Sequence, residues 1–111
     1  MAPQFESLEF HDARFRVGDW LVEPSLNRLS RNGVAVQLVL KTMDVLLCLA
    51  ERAGEVVSRH ELTDVVWQTE YVSDNTVAKR IAELRDALGD DARDPHYIET
   101  IPKRGYRLIA E

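Results

Sequence analysis

Residues 97–111 read "YIETIPKRGYRLIAE". The flanks "YIETI" and "YRLIA" are rich in aromatic and β-branched side chains, which is the composition of two short strands. Between them, Gly105 can supply the positive φ that a tight hairpin requires. That geometry would carry Lys103 and Arg104 at a hairpin tip and Arg107 on the returning strand. Two readings stand for this basic cluster: a solvated turn decorated with charge, or a finger meant for a polyanion.

The remainder of the chain bears on that choice. Its 111 residues, 45% hydrophobic and 30% charged, match one ordinary globular domain. The longest apolar run, "VLLCLA", falls far short of the roughly 20 residues a membrane helix needs, so no membrane contact is expected from this segment. Cys48 is alone and sits inside that run, where it reads as a small buried hydrophobe. Residues 1–12, "MAPQFESLEFHD", read as a loose leader without a signal pattern, ahead of a domain over 13–111. These features together point to a cytoplasmic setting.

Formal net charge is -5, but it is unevenly placed. Residues 1–74 carry seven basic and twelve acidic side chains, whereas residues 75–111 carry seven of each. Within the second part, "KRIAELR" sets Lys79, Arg80 and Arg85 against Glu83 alone, and Lys103–Arg107 holds three cations without an acid. A phosphate backbone responds to this local charge rather than to the total.

From "RFRVGDWLVEPSLNRLSRNGVAVQL" the turn residues Gly18-Asp19, Glu23-Pro24-Ser25 and Asn32-Gly33 divide four short strands. Leu26, Leu29, Val34, Val36 and Leu38 are the candidate inward residues of this small antiparallel sheet. The period then changes. "KTMDVLLCLAERAGE" places Met43, Leu46, Leu47 and Ala50 at helical spacing with Gly54 as a stop. "SRHE" is a capping box opening a second helix that ends near Trp67. After "QTEYVSD", Ser73 or Asp74 can cap a third helix over 74–88 whose apolar stripe is Val77, Ile81, Leu84 and Leu88. Two short helices, the second basic on its polar face, are the ingredients of a helix-turn-helix, and the hairpin behind them lies where a wing belongs.

The polar face of the third helix presents Asn75, Thr76, Ala78, Lys79, Ala82, Glu83 and Arg85, with Arg80 at the margin. Small residues permit close approach to a major groove, Lys79 can donate to guanine, and Glu83 can accept from cytosine. Asn75 and Thr76 open the helix, where backbone N–H groups and the dipole favour a phosphate. Each basic cluster alone fits a solvated surface; two clusters consistent with one docking geometry favour nucleic acid.

Across Phe15 to Ala110 the chain resembles the winged-helix DNA-binding domain of OmpR/PhoB-type transcription regulators. The matching pieces are "FRVGDWLVEPSLNRLSRNG", "GEVVSRHELTDVVW", "VSDNTVAKRIAELRDALGDD" and "YIETIPKRGYRL". The opening and wing are most similar to the ToxR/CadC-like branch of one-component regulators. The resemblance implies an α+β winged helix-turn-helix: a four-stranded N-terminal antiparallel sheet, three helices and a C-terminal β-hairpin wing. It implies double-stranded promoter DNA as partner, with helix 74–88 in the major groove and wing 101–107 on the minor groove or backbone. Contacts would come from Asn75, Thr76, Lys79, Arg80, Glu83 and Arg85 on the helix, and from Lys103 and Arg104 on the wing. The loop holding Gln68, Thr69, Glu70 and Tyr71 would be where RNA polymerase touches, and protomers would pair on tandem repeats. The branch further implies a cytoplasmic reader tethered to the inner membrane through a segment beyond Glu111. Ala82 and Glu83 depart from response-regulator relatives, which carry more arginine there.

An enzyme is not expected: there is no glycine-rich phosphate loop, nucleophile elbow or carboxylate pair at a cleft. His11, His60 and His96 lack metal-ligand spacing, and Asp90, Asp91 and Asp94 lack the fuller oxygen set a calcium ion takes. Neither cofactor nor metal is anticipated. Trp20 and Trp67 read as core residues rather than a base-stacking platform. The competing class is a winged-helix module for protein–protein contact, which the net acidity and the acids of "GDDARD" would suit.

Overall fold

A computed structural model describes residues 14–68 and 72–110; the expected leader, residues 1–12, lies outside them. The N-terminal part is a four-stranded antiparallel sheet of strands β1 (Phe15–Val17), β2 (Trp20–Glu23), β3 (Arg28–Arg31) and β4 (Val34–Gln37), adjacent in chain order. Its turns fall where Gly18, Pro24 and Asn32-Gly33 foretold, with Gly18, Asn32 and Gly33 all at positive φ. A 3₁₀ turn at Pro24–Leu26 closes on Asn27, itself left-handed, and separates β2 from β3.

Three helices follow: α1 (Leu40–Glu51), α2 (Arg59–Leu62, running on as a π-helical stretch over Thr63–Trp67) and α3 (Asp74–Leu88). Helix α1 is the centre of the molecule. Thr42, Met43 and every residue from Val45 to Leu49 are buried, which a helix covered on most sides requires. Val77, Ile81, Leu84 and Leu88 of α3 and Leu62, Val66 and Trp67 of α2 complete the core with Val22 and Leu29 of the sheet. Trp20 is buried and its indole N–H donates to the Leu88 carbonyl at 3.1 Å, tying the sheet to the end of α3. Arg31 lies over the same ring, 4.3 Å from its centroid, in the range of a cation–π contact.

Strands β6 (Ile98–Ile101) and β7 (Gly105–Leu108) form the C-terminal hairpin. It is not two-stranded, as the sequence suggested. Strand β5 (Val56–Val57), between α1 and α2, pairs with β7 to give a three-stranded sheet of order β5-β7-β6. Two other expectations are corrected. Leu26 and Val34 do not face inward: both are exposed, Leu26 because it belongs to the 3₁₀ turn and Val34 because it opens the edge strand. Nor does α1 run to Gly54. It ends at Glu51, and the Gly54 N–H instead donates to the Leu108 carbonyl, joining the helix exit to the wing root.

Candidate nucleic-acid interface

The frame of the site is set by two helix starts. Ser58 and Glu61 form the reciprocal capping box: the Ser58 hydroxyl accepts from the Glu61 N–H at 3.0 Å, and the Ser58 N–H donates to the Glu61 carboxylate at 2.9 Å. That backbone donor first, and the Arg52 guanidinium second, hold the Glu61 carboxyl below its usual pKa. Helix α2 stops where Gln68 turns to positive φ and its N–H returns to the Thr63 carbonyl. Ser73, rather than Asp74, caps α3 by accepting from the Thr76 N–H at 3.3 Å. Asp74 sits in the first turn, where the helix dipole favours an acid, and pairs with Arg59 at 3.6 Å.

Along α3 the side chains divide into free and engaged. Asn75 and Lys79 are exposed and have no polar side-chain partner among the described residues. The Thr76 hydroxyl lies 3.3 Å from that of Ser73. Arg80 donates through Nη2 to Glu83 at 3.1 Å, and Glu83 also accepts from the buried hydroxyl of Thr42 at 3.0 Å. Arg85 turns away from the helix tip. It donates from Nε and Nη2 to the Ile98 carbonyl at 3.2 and 2.8 Å, and from Nη2 to the Thr100 hydroxyl at 2.9 Å. Its place is thus a brace between α3 and the first wing strand.

The wing tip is a four-residue turn in which the Arg104 N–H donates to the Ile101 carbonyl at 2.9 Å. Pro102 occupies its second position and Lys103, with φ 65°, its third, the pattern of a type II turn with lysine where glycine is usual. Gly105 does have the expected positive φ, 145°, but lies just after the two central turn residues. A Cβ there would stand 2.1 Å from the Val57 carbonyl oxygen, so its absence lets β5 approach β7. Lys103 and Arg104 are exposed and carry no side-chain partner among the described residues, whereas Arg107 is paired with Glu99.

The wing root is set by Asp90, whose carboxylate accepts from the N–H groups of His96, Tyr97 and Ile98 at 2.7, 3.2 and 2.9 Å. Desolvation, the largest single influence, pushes this carboxyl up, but the backbone donors together outweigh it and leave its pKa below the ordinary value. Asp90 thus shapes the wing root; no group of three or more His, Cys, Asp or Glu that could hold a metal ion occurs among the described residues.

A shallow hollow lined by Val56, Ser58, Glu61, Lys103 and Arg104 brings the wing tip against the start of α2. Arg59, the next residue, pairs with Asp74 in the first turn of α3. The free cations of the wing and the opening turn of α3 therefore flank the same end of α2. Ser58 and Arg59 join this surface only because the pairing of β5 with β7 sets them beside the wing, a contact with no local signature in the sequence. Gln68 is exposed; Thr69, Glu70 and Tyr71 of the expected polymerase loop lie outside the described residues.

The family model described as "Transcriptional regulatory protein, C terminal" matches residues 33–108. The chain belongs to this family. Its OmpR/PhoB-type winged-helix architecture is shared with the solved DNA-binding domain of Escherichia coli CadC, at 45% identity and a TM-score of 0.79 over 89% of this chain and 96% of that one. The Klebsiella pneumoniae RstA DNA-binding domain, solved with the RstA box, matches at 28% identity and a TM-score of 0.76 over 86% and 96% of the two chains. Among curated proteins, the transcriptional activator CadC of E. coli is 48% identical over 95 residues, which are 85% of this chain and 19% of the relative. The cholera toxin transcriptional activator of Vibrio cholerae is 44% identical over 68 residues, 60% of this chain and 23% of the relative. The chain thus spans about a fifth of the length of these two relatives, and its kind within the family is ToxR/CadC-like.

Proposed function

We propose that this domain binds double-stranded promoter DNA with α3 in the major groove and the Ile101–Arg104 turn on the adjacent minor groove or backbone. DNA binding for transcription regulation follows from family membership. The docking rests on one observation: Lys79 on α3 and Lys103 and Arg104 on the wing are exposed and unpaired among the described residues, on two elements braced together by Arg85. Asn75 and Thr76 supply backbone and hydroxyl donors at the helix start, and Lys79 reads base edges. Arg80 contributes from the helix margin beside Glu83, and Arg85 acts by holding the wing in register.

Within a longer regulator this domain would be the cytoplasmic reader, tethered to the inner membrane through a further segment. The far greater length of its CadC and cholera-toxin-activator relatives supports that placement. Among the described residues no helix is long and apolar enough to cross a membrane. Gln68–Tyr71 would present the loop to RNA polymerase, and two protomers would occupy tandem repeats.

Fluorescence anisotropy of the domain against a labelled mixed-sequence duplex, titrated with salt, tests the reading. Protein is taken to tens of micromolar, because non-specific affinities are typically about 10⁻⁴–10⁻⁶ M. A steep log–log salt slope supports it, and genomic site selection then follows. Absence of binding at low salt would refute it and turn the search to a protein partner.

A further inference from the structure

We propose that Glu83 holds Arg80 in a closed pose in the free domain, and that DNA draws Arg80 out to a phosphate. The proposal rests on the DNA-binding reading above and names a regulator of affinity within that interface. Glu83 thereby serves as a positioning residue rather than a base reader.

The two partners are unequally anchored. Glu83 accepts through Oε1 from the Thr42 hydroxyl at 3.0 Å and through Oε2 from Arg80 at 3.1 Å. Thr42 is 1% exposed and belongs to α1, the core helix, so that end of the network is fixed. Arg80 offers five N–H donors, and its single acceptor among the described residues is that Glu83 oxygen. Its side chain is 20% exposed, yet its Nε is buried and meets no acceptor among the described residues. An unmet buried donor raises the energy of the pose that contains it. A swing outward breaks one bond to Glu83 and allows a forked contact of Nε and Nη with a phosphate. Glu83 meanwhile keeps its bond from Thr42. The bond to Glu83 must be given up on binding, so the pair lowers affinity for any duplex that does not repay the exchange.

The test is a cycle of Glu83→Gln and Arg80→Ala, singly and together, by salt-titrated anisotropy on a labelled mixed-sequence duplex. Arg80→Ala is expected to make the log–log salt slope shallower by about 0.9, the contribution of one phosphate contact. Glu83→Gln is expected to tighten binding about 1.4- to fivefold, the range of ion pairs near the surface, with that gain abolished in the Arg80→Ala background. An equal gain in both backgrounds would assign the effect to lost negative charge and overturn the proposal, as would no gain in either. Arginine side-chain NMR adds a direct readout, with the Nε–Hε resonance assigned by its loss in Arg80→Lys. It should move on saturation with the duplex. If α3 backbone amides shift while it stays fixed, Arg80 has not left Glu83 and the proposal fails alone. If the unmodified domain binds no duplex, this reading and the DNA-binding reading fail together.

Discussion

Replacing Lys103 and Arg104 together by glutamine removes two charges from the wing tip while leaving its turn intact. Neither side chain has a partner among the described residues whose loss would disturb the fold, and glutamine meets the same backbone demand as lysine at φ 65°. Each phosphate contact contributes about 0.9 to the magnitude of the log–log salt slope, so the double variant should be shallower by about 1.8. Over a fourfold rise in salt, from about 50 to about 200 mM, wild type should then lose about 12-fold more affinity than the variant. The assay is anisotropy on a mixed-sequence duplex at several salt concentrations, with thermal unfolding as the control. An unchanged slope with unchanged unfolding would show that the tip does not touch phosphates, and the docking derived from it would be wrong.

Three further outcomes are expected. Gly105→Ala should destabilise by more than about 3 kcal/mol, since its methyl meets the Val57 carbonyl at 2.1 Å. Thermal unfolding should show a fall of more than about 12 °C, and a smaller fall would mean β5 yields easily. Asp90 has a folded-state pKa below its ordinary value, so its stabilising contribution is complete above the ordinary carboxylate range and is lost as pH falls through the folded value. Urea midpoints should therefore separate wild type from Asp90→Asn at pH 7 and converge in acid; a gap independent of pH would contradict the three-donor arrangement. Arg85→Lys cannot reproduce the fork onto Ile98 and Thr100. It should speed amide exchange in β6 and weaken DNA binding several-fold with helix content preserved, whereas unaltered exchange would remove Arg85 as the brace.

What could be read from the sequence was what local chemistry decides. Asn32-Gly33 specified a hairpin, Ser58 and Glu61 a helix start, and the spacing of Val77, Ile81, Leu84 and Leu88 a buried stripe, because each involves residues within one or two turns of each other. Strand β5 was not legible: two valines carry no periodicity, and their partner β7 lies far along the chain. The same distance hid the second demand on Gly105, which adds a carbonyl on β5 to the positive φ its hairpin position takes. Arg85 was placed on the polar face of α3, as its spacing dictates, but its acceptors belong to β6 and no helical pattern reveals them. The bonds of Glu83 to Arg80 and Thr42 are equally hidden, because they depend on how α3 lies against α1.

The division of labour within the wing bears on how such a reader can change its target. At Gly105 a side chain collides with a neighbouring strand, so that position is closed to variation by sterics. Two residues earlier, Lys103 is exposed and constrained only by its left-handed backbone. Glycine, asparagine and aspartate tolerate that conformation more readily. A single codon change at the tip could therefore exchange a cation for a neutral or acidic group and gain backbone ease in the same step. The exposed cation at the wing tip is thus also the position a mutating lineage could rewrite without first having to rescue the fold.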